Sequence, residues 1–290
     1  MRSNAGEYDL VAPKSLGAVL NAIAAEPGAL TPIAGGTELM VALGAGRLQP
    51  HRLISLGNLR ELRFIDATNT DTLRIGANTT FTDLRRSSVI LEEFPLLAQT
   101  ASWTGSIANQ NRGTIGGNIA NASPAADSPP ALLVYGAQIE LISTRGTRTL
   151  PYDEFHLSYK RTALAPDELI FALHLSRRFT GYRQWVRKVG TRNAQAISKI
   201  AIAAIALMDG SRVQEIRIGA ASLKDRPARL YAVENAIAGH AIDTKTITDA
   251  RDALLTEIAP TDDIRSTAKY RAAVAQNLIE EFLRSLLETV

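Results

Sequence analysis

The sequence predicts an α+β protein, with two mixed subdomains over residues 1–57 and 58–177 followed by a C-terminal domain of antiparallel strands and helices over 178–290. Three observations carry that reading. Helical and strand-like periodicities alternate through the N-terminal unit, a long irregular segment rich in Gly, Pro and Asn interrupts the middle, and the last third runs from alanine-rich, β-branched strands into three helical segments.

The opening residues read as a turn, after which Ser15 caps a helix with Leu16, Val19, Leu20 and Ile23 on one face, stopped at Pro27-Gly28. Leu30 to Ile33 forms a short strand that runs into Ala34-Gly35-Gly36-Thr37. A second helix begins near Thr37-Glu38, carries Leu39, Met40 and Leu43, and ends in Gly44-Ala45-Gly46; Arg52 to Leu56 is the next strand. The second subdomain has strands at Leu62–Ile65 and Leu73–Gly76, a short helix from Thr82 and a longer one over Val89–Ser102. Residues Gly105 to Pro130 follow as a loop whose Gly, Pro and Asn content favours turns. Gln138–Ser143 and Leu169–Leu175 read as strands.

In the C-terminal domain Tyr182–Lys188, Ile197–Met208 and Val213–Ala220 are strand-like, and Asp209-Gly210 punctuates a hairpin. Helices over Ala228–Ala238, Thr246–Ile258 and Ala268–Leu287 close the chain.

Composition narrows the chemistry. The chain of 290 residues is 46% hydrophobic and 21% charged, as expected of a globular protein. It contains no cysteine, which excludes disulfides, Cys-ligated zinc, Cys-ligated iron–sulfur clusters and thiol nucleophiles. The four histidines, His51, His156, His174 and His240, are too dispersed for a local metal motif. The longest apolar run, Ile200 to Met208, falls well short of the roughly 20 residues that span a bilayer, and the first residues lack an apolar signal core, so a cytoplasmic location without a membrane span is expected. Thirty-two basic and 29 acidic residues are interspersed and aromatics are 6%, a pattern unlike a nucleic-acid-binding surface.

Two glycine loops hold the functional signal. Gly35-Gly36, between strand and helix, allows backbone N–H groups to converge on an anion such as phosphate, or makes a tight turn and nothing more. Thr114-Ile115-Gly116-Gly117-Asn118 lies within a long irregular segment of the kind that is usually functional. Together the loops suggest a ligand with two phosphates held between two subdomains. Asp127 either accepts hydrogen bonds from ligand hydroxyls or caps the helix near Ala131–Tyr135. Gly44-Ala45-Gly46 has Gln49 in place of a third glycine and follows no strand, and no P-loop pattern occurs, so Rossmann and P-loop nucleotide sites are disfavoured.

Ala34-Gly35-Gly36-Thr37-Glu38 and the segment from Arg112-Gly113-Thr114-Ile115-Gly116-Gly117-Asn118 through Ile119-Ala120-Asn121-Ala122-Ser123-Pro124-Ala125-Ala126-Asp127 resemble the two FAD-binding signatures of the medium subunit of molybdenum hydroxylases. That family includes flavoprotein subunits of xanthine dehydrogenase and carbon monoxide dehydrogenase, within the vanillyl-alcohol-oxidase-like flavin fold. Lys188-Val189-Gly190-Thr191-Arg192 and Gln195-Ala196-Ile197-Ser198 are similar to its third signature. The resemblance implies that Pro32, Ile33, Ala34, Gly35, Gly36, Thr37 and Glu38, with Thr114, Ile115, Gly116, Gly117, Asn118 and Ala120, surround FAD, the backbone of both loops wrapping its pyrophosphate. It further implies that Asp127 contacts the polar adenosine or ribityl portion, that Leu169 or Ile170 packs near the cofactor, and that Lys188 sets a positive charge near the isoalloxazine. No catalytic residue and no metal ligand is expected in this chain.

By the same resemblance, a large molybdopterin-binding subunit hydroxylates the substrate, a small subunit carries electrons over two 2Fe–2S clusters, and this chain passes them from FAD to NAD, a quinone or dioxygen within a dimer of heterotrimers. The cysteine-free composition is consistent with that division and excludes the extra cluster that some relatives insert here. Asn193-Ala194-Gln195 replaces the acidic residues that some xanthine dehydrogenases carry after the signature arginine, which leaves the acceptor open. Two other functions compete: a stand-alone flavin oxidase of the vanillyl-alcohol type, and a flavin-binding accessory module.

Overall fold

The computed structural model describes residues 5–48, 52–192 and 195–287; Gln49, His51, Asn193 and Ala194 lie outside them. The N-terminal unit is a parallel three-stranded sheet in the order Asp9–Val11, Arg52–Ser55, Thr31–Ile33. The Leu16–Ala25 helix starts where expected, since the Ser15 hydroxyl accepts from the Ala18 amide, and it buries Val19, Leu20 and Ile23. The Asp9–Val11 strand replaces the expected turn. All three of its residues are exposed, so its pairing is made by backbone alone and leaves no hydrophobic alternation to read.

The second unit is an antiparallel five-stranded sheet ordered Ile65–Asp66, Thr72–Gly76, Leu169–Ser176, Gln138–Ser143, Gly146–Pro151. Three expectations need correction. Leu62–Ile65 is not one strand: Arg60–Leu62 is a 3-10 turn that buries Leu62, and only Ile65–Asp66 pairs. The Val89–Ser102 helix divides into Ser88–Glu93 and Pro95–Trp103, because Pro95 cannot donate to a continuing helix and disfavours the helical conformation at Phe94. The loop expected over Gly105–Pro130 contains the short helices Ile107–Gln110 and Ile115–Ala120, and Pro129–Val134 begins within it.

The C-terminal sheet is antiparallel, ordered Arg183–Val189, Ile200–Asp209, Arg212–Ala221, Ala228–Arg229, and it carries the helices Tyr231–Ile237, Thr244–Glu257 and Ala268–Ser285. Ala228 and Arg229 extend the sheet by pairing with Ala220 and Gly219, which delays the helix expected from Ala228.

Packing ties the units together. Ala203 and Ile205 of the C-terminal sheet join the core of the second unit around Leu133, Tyr135 and Phe179, and Leu169 joins the core of the first. The Pro129–Val134 helix lies over Gly219, where a Cβ would come 2.5 Å from the Pro130 carbonyl oxygen. A residue of the C-terminal sheet thus forms the seat of the segment that leaves the second glycine loop.

Candidate functional site

The two glycine loops meet. A Cβ on Gly35 would collide with the Arg112 backbone carbonyl, and one on Gly113 would lie 3.4 Å from Thr37 Oγ1, so the turn after the first strand lies directly against the start of the second loop. The Arg112 Nε donates to Gly35 O at 3.2 Å and clasps the two. Gly36 has φ +75, in the left-handed region that favours glycine, and turns the chain toward the Leu39–Gly44 helix.

The loops differ in what they offer an anion. Thr114 caps the Ile115–Ala120 helix by accepting from the Gly117 amide at 3.1 Å. The amides of Ile115, Gly116 and Asn118 donate to Thr79 O, Ala77 O and Thr114 O, at 3.0, 2.9 and 3.0 Å. Gly116 is a packing glycine, since its Cβ would fall 2.6 Å from the Ala77 Cβ. In the first loop, among the described residues, no protein acceptor takes the amides of Gly35, Gly36 or Thr37. Unpaired donors therefore concentrate at Gly35–Thr37, whereas Thr114–Asn118 supplies a rigid wall; Gly117 and Ala120 are exposed on it and Asn118 is half-buried.

Behind that wall lies a buried polar cluster. Asp127, 8% exposed, accepts from the Lys188 ammonium at 2.6 Å through Oδ2 and from the Ser198 hydroxyl at 2.5 Å through Oδ1. Lys188 also donates to Trp103 O at 3.2 Å. Burial pushes the Asp127 carboxyl above its ordinary value, and Lys188 and Ser198 act against that rise. The cluster is joined to the loop because the neighbouring Ser128 hydroxyl donates to Asn118 Oδ1 at 2.7 Å.

The expected residues fall into three settings. Gly35 and Thr37 of the first loop lie against Arg112 and Gly113 at the head of the second, where Thr114, Ile115 and Gly116 are buried and Gly117 and Asn118 reach the surface; Pro32 and Glu38 are exposed on the first loop. Asp127 and Lys188 form one ion pair, so the charge at Lys188 is that of a neutralised pair. Ile170, 6% exposed, belongs to the hydrophobic core of the second unit, and Leu169 belongs to that of the first. Arg112 and Ser198, both within the quoted motifs, join the site as well. A cation at the head of a glycine loop was the signal for the former, while nothing local marks Ser198 as the partner of an aspartate 71 positions away.

The residues present fit FAD: two apposed glycine loops, one offering unpaired amides, suit a pyrophosphate. Comparison with known proteins decides the assignment. Residues 6–176 match the FAD binding domain in molybdopterin dehydrogenase, and 185–286 match the CO dehydrogenase flavoprotein C-terminal domain. The chain belongs to this flavoprotein family. It is 29% identical to the xanthine dehydrogenase FAD-binding subunit of Escherichia coli O157:H7, over 93% of this chain and 92% of that one. It is 28% identical to the carbon monoxide dehydrogenase medium chain of Hydrogenophaga pseudoflava, over 96% of both. The solved carbon monoxide dehydrogenase of Hydrogenophaga pseudoflava, in the form that lacks the Mo-pyranopterin moiety, superposes with a TM-score of 0.90 at 28% identity, covering 94% of this chain and 95% of that one. As a molybdopterin dehydrogenase flavoprotein the chain is an FAD-binding subunit of an oxidoreductase, and the two-part architecture expected from the resemblance is the one observed. Among the described residues no helix is long and apolar enough to cross a membrane.

Proposed function

We propose that this subunit takes electrons from iron–sulfur clusters on a small partner and delivers them to NAD, a quinone or dioxygen, while substrate is hydroxylated on a large molybdopterin-binding partner. The observation that supports this is the apposition of Gly35-Gly36 with Arg112-Gly113 in a chain matched over nearly its full length by the medium chain of a carbon monoxide dehydrogenase. Bound FAD supplies redox chemistry that the side chains of this chain lack. The chain's own groups bind and orient: the amides of Gly35, Gly36 and Thr37 meet the pyrophosphate, the capped Thr114–Ala120 segment fixes the opposite wall, and Ile170 stays in the core behind it. Asp127 holds the Lys188 ammonium in place, and the pair presents to the flavin one polar edge with no net charge.

The domain limits 1–57, 58–177 and 178–290 are proposed with this reading; the four sheets among the described residues, counting the two-stranded His156–Ser158 and Arg161–Thr162 pair, fall within them, each complete. A dimer of heterotrimers in the cytoplasm is proposed on the family's pattern.

The test is spectroscopic. The purified chain is expected to hold FAD noncovalently, to release it on denaturation, and to have the flavin reduced by dithionite or by its partner subunits but by no organic substrate alone. Turnover of an organic substrate by the isolated chain would establish a stand-alone oxidase, and a folded chain with no affinity for FAD would remove the proposal altogether.

A further inference from the structure

A cleft of about 100 Å³ opens between the Ser123–Ala125 turn and the C-terminal domain, lined by Lys160, Lys224, Arg265, Arg271, Asp263 and Ser222 among others. Its charge does not balance. Lys224 faces Glu257 at 3.6 Å, and Arg265 and Arg271 share Asp263 at 3.1 and 2.8 Å. Lys160 donates only to the neutral Asn121 oxygens, at 2.9 and 2.8 Å, and among the described residues no carboxylate pairs with it. Four cations against two carboxylates leave a surplus of two positive charges.

Arg271 is 3% exposed, and its Nε has no protein acceptor. Such a group is costly to bury unless something accepts from it. Ser222 has φ +67 and Lys160 φ +57, so two of the residues lining this cleft hold a conformation that side chains other than glycine seldom adopt. The Ser222 amide donates to Pro124 O at 2.8 Å and its hydroxyl to Ser198 O at 3.1 Å, which fixes the cleft wall to both units.

We infer that this cleft binds a phosphoryl dianion. The surplus of two charges matches that ligand; Arg271 Nη1 and Nη2 are held by Lys199 O, Ser222 O and Asp263, which leaves its Nε, with the Arg265 guanidinium and the Lys160 ammonium, to donate to the phosphoryl oxygens. The volume exceeds the roughly 30 Å³ share of one water but is far below the several hundred of a whole cofactor pocket, so the bound group is a free phosphate or the terminal phosphomonoester of a larger molecule. Asp263 competes with the anion for both guanidinia and tunes the affinity downward. The site is separate from the Gly35–Thr37 and Thr114–Asn118 loops, neither of which lines it, and touches the second motif only at its Ser123–Ala125 turn.

Inorganic phosphate and adenosine 5′-monophosphate, titrated separately into the FAD-loaded chain, are the probes, read by calorimetry with flavin absorbance followed in parallel. Saturable phosphate binding is expected, weakened about tenfold or more by Arg265→Gln and by Lys160→Met, and tightened by Asp263→Asn; the exposed Lys245→Met leaves it unchanged. Tighter binding of inorganic phosphate identifies the free ion as the ligand, and tighter binding of the monophosphate identifies a phosphomonoester. The inference is overturned by absence of saturation, by equal weakening in Lys245→Met, by weaker binding in Asp263→Asn, or by stoichiometric release of FAD as phosphate binds. The FAD signal before titration reports separately on the cofactor assignment, so the two failures are distinguishable.

Discussion

Lys188 Nζ lies 2.6 Å from Asp127 Oδ2, and the two side chains are 11% and 9% exposed. Removing one partner of such a pair leaves the other charge buried without its counter-charge, which costs about 3–5 kcal/mol. Lys188→Met is therefore expected to lower thermal stability and FAD occupancy together, and to do more than adjust the flavin potential. Lys188→Met with Asp127→Asn restores much of the stability, because no charge is left unpaired. Denaturant melts and flavin titrations of the two singles and the double mutant check this; a Lys188→Met protein as stable as the parent refutes it.

Glycine substitutions separate contact with cofactor from contact with protein. Gly35→Ala pushes a methyl into the Arg112 carbonyl and is expected to part the loops, with a loss in FAD affinity above tenfold, or more than about 1.4 kcal/mol, and reduced stability. Gly117→Val adds its side chain on an exposed face near Thr114 Oγ1, so its effect is expected in FAD affinity with the fold retained. Gly17→Ala, exposed in a helix with nothing within 4 Å of its Cβ, is the control. Equal FAD affinities for Gly17→Ala and Gly117→Val would show that the second loop does not face the cofactor.

His156 makes stability depend on acidity. Its ring is buried, Nε2 bonds to Ile119 O at 3.0 Å, and burial holds its pKa below the ordinary 6.5. The unfolded chain then binds the proton more readily than the folded one, so stability falls as pH drops below 6.5 and levels off once the folded-state value is passed. His156→Gln, which keeps a donor for Ile119 O, is expected to flatten that dependence. Melting temperatures between pH 7 and pH 5 read the difference, and a parallel decline in both proteins rules His156 out.

Gly219→Ala is expected to destabilise by about 1–3 kcal/mol, since the added methyl meets the Pro130 carbonyl oxygen at 2.5 Å. A chemical melt of the variant checks this, and an unchanged midpoint would mean that the Pro129–Val134 helix shifts without cost.

Local signals were legible and long-range ones were not. Ser15 announced its helix because a cap acts over three residues, and Gly35-Gly36 announced an unusual turn for a similar reason. The motif that pointed to the family also marked two segments that the fold brings against each other at Gly35 and Arg112. Hidden from the sequence was the reason for each glycine: Gly35 is fixed by a carbonyl 77 positions away and Gly116 by Ala77, both facts of tertiary contact. The pairing of Asp127 with Lys188 is likewise non-local, and read singly each residue pointed toward the cofactor. Asp9–Val11 escaped because an exposed parallel edge strand carries no alternation to betray it.

The seat of the Pro129–Val134 helix on Gly219 bears on how such chains diverge. Two recognisable modules, 6–176 and 185–286, suggest parts that recombine freely, yet a grafted C-terminal module must bring a residue without a side chain at this position, apolar residues that fit the second unit's core where Ala203 and Ile205 do, and a serine for Asp127. A chimera that ignores these contacts would disturb Asp127 and the second loop from the far side, without altering either glycine loop itself. The two halves are thereby bound to change in concert, and the boundary between them is a poor place to cut.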